Sequence, residues 1–136
     1  MNGVRAILFD AGGTLIHLDG ERICRAAEVA YSRDGFSRAE AAAVAAVREW
    51  IRTRPDSTDA ERLPYFLDAL LSGLDVPSGE PRQQAAARVA QEHASANLWS
   101  APAEGAAETL TELAARGYRL GVISNADGRV RELLEV

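Results

Sequence analysis

The sequence predicts an α/β protein whose parallel-stranded core is interrupted by a long helical insert. Three observations predict it. A short apolar run, Ile7-Leu8-Phe9, ends in Asp10 and continues as Ala11-Gly12-Gly13-Thr14-Leu15. More than a hundred residues later a second short strand, from Tyr118 to Ile123, ends in Ser124-Asn125. Between them, four stretches carry helical periodicity and are bounded by turn residues. Strand, helices, Gly, strand is the chain order of a parallel crossover.

The first strand delivers a carboxylate, Asp10, to its C-terminal tip. The glycines after it let the backbone turn tightly and approach a ligand closely. In open α/β sheets ligands bind outside the carboxyl ends of the strands, so Asp10 is placed for chemistry. Asp and Gly are also ordinary turn residues, and that reading stands beside the functional one.

The insert reads as four helices: Glu21–Arg33, Arg38–Thr53, Asp59–Leu74 and Pro81–Leu98. Ser37-Arg38-Ala39-Glu40 and Thr58-Asp59-Ala60-Glu61 have the form of capping boxes. Breaks fall at Asp34-Gly35, Arg54-Pro55-Asp56 and Val76-Pro77-Ser78-Gly79. Ile23, Ala27, Ala30 and Tyr31 line one face, and Val44, Val47, Trp50 and Ile51 another. Tyr65, Phe66, Leu70 and Leu71 supply the bulky centre. Residues 18–99 are therefore expected to form a helical domain, with 1–17 and 100–136 contributing the partial core. A fifth helix runs from Pro102 to Arg116 and stops at Gly117, in the position that ends such helices. Ser124 and Asn125 would cap a last helix, Ala126 to Leu134, whose N-terminus is also an anion site.

Composition narrows the function classes. Net charge is −5 and the pI is near 5.0, which argues against nucleic acid as the main partner. No apolar run approaches the ~20 residues of a membrane helix, and no signal peptide precedes the first strand. The single Cys24 excludes an internal disulfide and suits a reducing cytoplasm, where a buried structural thiol is expected. No cluster of His, Cys or carboxylates has zinc spacing. Arg22, Arg25 and Arg38 could reach a substrate anion, as could His93, but a solvated helix face is the simpler account. Trp50 and Trp99 read as core or hinge packing.

Asp10, Gly13, Thr14 and Leu15, with Ser124 and Asn125 at the second strand tip, resemble the two N-terminal motifs of the haloacid dehalogenase-like (HAD) hydrolase superfamily. The layout is similar to the subfamily whose cap domain follows the first strand. The resemblance implies a Rossmann-like core, of which only the first two parallel strands are present, with an inserted four-helix cap over the active site. It implies a phosphorylated small molecule as substrate and Asp10 as the nucleophile of a covalent aspartyl intermediate. It also implies Gly13, Thr14, Ser124 and Asn125 around the phosphate. Mg²⁺ would be the cofactor, held by Asp10 and the main-chain carbonyl of Gly12.

The chain departs from the family pattern in two places. Gly12 stands where the phosphatases have a second Asp that protonates the leaving group. His17 and Asp19 are the nearest substitutes in sequence. The chain also has no Lys, and after Asn125 its only acids are Asp127, Glu132 and Glu135. Arg129 and Arg131 fit a solvated helix face better than the Lys role. The 136 residues alone are thus expected to be truncated before the Lys and acidic motifs and to turn over little or nothing. Two parallel strands leave open apolar edges, which invite self-association. Three readings follow: a HAD-like phosphatase, a catalytically dead member that binds a phosphometabolite or protein partner, and a 2-haloacid dehalogenase.

Overall fold

In the computed structural model, which describes residues 3–124, the two sequence-distant strands lie side by side. β1 (Ala6–Asp10) and β4 (Arg119–Ile123) pair in parallel, with Ala6 opposite Arg119 and Asp10 opposite Ile123. The architecture is mixed α/β. Two units are distinct: residues 3–19 with 97–124 form one, and Gly20–Ala96 the other.

The α/β unit holds two further strands that the sequence did not announce. β2 (Ile16–Leu18) and β3 (Trp99–Pro102) pair antiparallel, with a register shift between His17 and Leu18. Each has at most four residues, too few for alternation to stand out from turn composition. Ile16 and Leu18 are buried while His17 between them is exposed, as strand alternation requires. β3 also takes the Pro102 that was expected to open the following helix. That helix, α5, spans Ala106–Ala115. Gly117 stops it with φ 85°, its N–H donating to the Ala114 carbonyl and that of Tyr118 to Leu113. Buried apolar residues of this unit are Ala11, Leu15, Ile16, Leu18 and Leu98. Leu8 and Ile123 on the parallel pair remain 63% and 62% exposed.

The second unit consists of α1 (Gly20–Ala27), α2 (Arg33–Thr53), α3 (Asp59–Gly73) and α4 (Glu80–Ser95). Ile23, Leu70, Leu71 and Val89 are fully buried in it, each contributing about 1.5–3 kcal/mol of transfer free energy. Three helix ends differ from expectation by more than one residue. The first helix stops at Ala27 rather than Arg33, because Glu28 adopts a left-handed φ of 61°. The Val29 N–H then reaches back to the Cys24 carbonyl at 2.9 Å. Arg88 donates to the Ala26 and Ala27 carbonyls at 2.8 and 3.3 Å, satisfying acceptors that the helix end leaves over.

α2 begins at Arg33 rather than Arg38, with Ser32 as the cap accepting from the Gly35 N–H. The box at Ser37 lies within that helix, and Asp34-Gly35 is its first turn rather than a break. The Thr58 box does form: Glu61 accepts from the Thr58 N–H at 2.7 Å and from its hydroxyl at 3.0 Å. α4 ends at Ser95 rather than Leu98, after which Ala96 is extended and the Asn97 side chain accepts from the Trp99 N–H.

Candidate active site

The parallel register places the site. Because Asp10 and Ile123 are partners, the residue after each strand, Ala11 and Ser124, emerges at one end of the sheet. That is the carboxyl end, where α/β sheets bind ligands. Asp10 is exposed there, and Ser124 is half-buried.

The turn after Asp10 is tied to one atom. The carbonyl of buried Ala11 accepts from the N–H groups of Thr14, Leu15 and Ile16, at 3.3, 2.9 and 3.0 Å. Gly13 donates to the Ile16 carbonyl at 2.8 Å and has φ 77°, a conformation in which a Cβ would clash. The loop is thus fixed by its own backbone, with Gly12, Gly13 and Thr14 all exposed around the carboxylate.

Gly12 differs from Gly13. Its φ is not left-handed, and a Cβ there would meet only Trp99 Cδ1, at 3.9 Å. Space therefore does not require glycine at position 12. Trp99 is half-buried on β3 and reaches this turn from the far end of the insert in sequence. Nothing in the sequence spacing pointed to it, because the pairing of β2 with β3 was not legible.

The remaining sequence candidates are placed as follows. His17 is exposed on β2, and Asp19 is half-buried with its N–H donating to the Leu98 carbonyl at 2.7 Å. Arg22 is held within the helical unit by Glu92 at 2.8 Å and by the Ala96 carbonyl at 3.0 Å, so it packs helices together. Arg25 and Arg38 are exposed. Asn125 lies outside the described residues, as does the expected last helix.

Among the described residues no group of three or more His, Cys, Asp or Glu is gathered for a metal. Asp10 and the Gly12 carbonyl are hard oxygen donors with one residue between them. That set fits Mg²⁺, which commonly takes one or two carboxylates and completes its shell with water and substrate phosphate. No described helix is long and apolar enough to cross a membrane.

A family model for haloacid dehalogenase-like hydrolases matches residues 4–135, and the chain belongs to that family of hydrolases. Comparison with curated proteins gives no match.

Proposed function

We propose that the α/β unit is the phosphoryl-transfer centre of a hydrolase acting on a phosphorylated small molecule. The observation that carries this reading is the delivery of Asp10 and Ser124 to one sheet end by adjacent parallel strands. A carboxylate oxygen of Asp10 attacks phosphorus, the bond to the leaving oxygen breaks, and water later cleaves the aspartyl phosphate. The Ser124 hydroxyl donates to a phosphoryl oxygen, and the exposed Gly13-Thr14 turn lies against the same group. Asn125, outside the described residues, is assigned to the phosphate by the family resemblance alone. When bound by Asp10 and the Gly12 carbonyl, Mg²⁺ offsets the repulsion between two anions.

Gly12 offers no proton to a leaving alkoxide, and general acid help is typically worth about 10²–10⁴-fold. The 136 residues contain no Lys, so turnover of ordinary phosphate esters by them alone is expected to be low. The helical unit is assigned the role of a cap that governs substrate access. The exposed Leu8 and Ile123 favour pairing with further strands, including those of a second copy.

Titration calorimetry with orthophosphate and Mg²⁺ tests the cradle. The reading predicts that Ser124→Ala weakens binding about tenfold or more, the usual worth of a hydrogen bond to a charged group. Asp10→Asn should remove the part of binding that depends on Mg²⁺, because it takes away the carboxylate proposed to hold the ion. Failure of the unsubstituted chain to bind, or indifference to Ser124→Ala, contradicts it. The same Gly12 and the lack of Lys favour a second reading, a silent member that binds a phosphometabolite without transferring its phosphate.

A further inference from the structure

We propose that the backbone N–H of Ala103 is a positioning group for the turn that presents Asp10 and Gly12. Local opening at Ala103 and ligand binding at Asp10 then exclude each other. The inference rests on the Asp10 reading above. The parallel ladder ends at the Asp10–Ile123 pair, so it holds the carboxylate but not the Gly12 carbonyl two residues further on. The place of Gly12 depends on how residues 11–16 close on themselves and on what anchors the closed loop.

Ile16 spends both backbone groups on the closure. Its N–H donates to the Ala11 carbonyl at 3.0 Å, and its carbonyl accepts from Gly13 at 2.8 Å. Pro102, the partner of Ile16 on β3, has no N–H to offer. The anchoring bond falls to the next pair, where the Ala103 N–H donates to the Leu15 carbonyl at 2.8 Å. Leu15 itself donates to Ala11, the carbonyl that also gathers Thr14 and Ile16, and it is buried. Ala103 is tied forward as well. Its carbonyl accepts from the N–H of Ala106, the first residue of α5, at 3.1 Å. Released from Ala103, the turn keeps its internal bonds but can tilt about Ala11, which shifts the Gly12 carbonyl relative to Asp10 while β4 keeps Ser124 in place. The near-ideal octahedral geometry that Mg²⁺ requires makes such a tilt costly to binding.

Amide hydrogen exchange of the unsubstituted chain, followed by NMR with and without Mg²⁺ and orthophosphate, tests this. A ligand that binds only the closed form slows exchange through the open form by the factor 1 + [L]/Kd. At a ligand concentration ten times Kd, the Ala103 amide should slow about tenfold. The Gln83 amide, bonded to Gly79 in the helical unit, should not change. Ala103→Pro, which removes the N–H, gives a second measurement. The gain in orthophosphate affinity that Mg²⁺ brings should fall about tenfold, as for other groups that orient a metal ligand, and Ala103→Ser should keep it. A donor that only stabilised the fold would lower the melting temperature of Ala103→Pro and leave that gain intact. If Ala103→Pro does not fold, the exchange result decides. If orthophosphate binds but Ala103 slows no more than Gln83, or a folded Ala103→Pro keeps the full gain, the assignment is overturned and the Asp10 site stands. If the unsubstituted chain binds no orthophosphate with Mg²⁺, both fall.

Discussion

Asp10 faces Ile123 across the parallel ladder, which sets Ser124 one residue beyond the partner of the carboxylate. These residues are more than a hundred positions apart in sequence, and the insert intervenes between them. Register, rather than proximity in the chain, makes them neighbours. A slip by one residue would turn Asp10 to the other face of the sheet and dissolve the site.

The two glycines after Asp10 should respond in opposite ways to a methyl group. Gly12→Ala meets only ordinary contact, so its stability should change by no more than about 1 kcal/mol, in the stabilising sense if at all. Gly13→Ala must adopt φ 77° and should lose about 1–2 kcal/mol. Urea unfolding of the two variants measures the difference.

Gly73 ends α3 where that helix meets α2 closely. A Cβ at this position would lie 2.9 Å from both the Cα and the Cβ of buried Ala39. Backbone cannot yield as a flexible side chain can, so the helices must separate. Gly73→Ala should cost about 1–3 kcal/mol, read from the denaturation midpoint.

The capping box makes α3 sensitive to acid. Hydrogen bonds from the Thr58 backbone and hydroxyl hold the Glu61 carboxyl below its ordinary range. A group lowered in the folded state stabilises above its unfolded pKa, about 4.3, and that contribution disappears as pH falls through the folded value. The melting temperature should therefore be higher in the unsubstituted chain than in Glu61→Gln at pH 7. The two should converge as the pH drops below about 4. A constant difference across that range would contradict the assignment.

Much of the architecture was legible because its signals are local. Asp10 at a strand tip, Gly117 at a helix end and Thr58-x-x-Glu61 each declare a backbone state within four residues. The first helix end was missed because Glu28 takes the left-handed conformation without being Gly or Asn. Ser37 was read as a cap because it heads a box, yet Ser32 caps the helix: Phe36 is buried and Asp34 and Gly35 fit a first helical turn. Tertiary packing decided between two acceptable caps. Trp99 was read as core or hinge packing, and its place beside the Gly12 turn depends on the pairing of two very short strands, which the spacing did not announce. Asp10 was visible at its strand tip, whereas the place of Trp99 beside the turn that follows was not.

Transfer of a phosphoryl group to Asp10 is the central claim, and an acyl phosphate tests it most directly. Acetate leaves as a carboxylate and needs no proton from position 12, so Gly12 is no handicap to this half-reaction. The chain is incubated with acetyl phosphate and Mg²⁺, quenched in acid and mapped by mass spectrometry. The account predicts a phosphoryl adduct on the peptide containing Asp10, absent in Asp10→Asn. No adduct, or an equal one in Asp10→Asn, would contradict it.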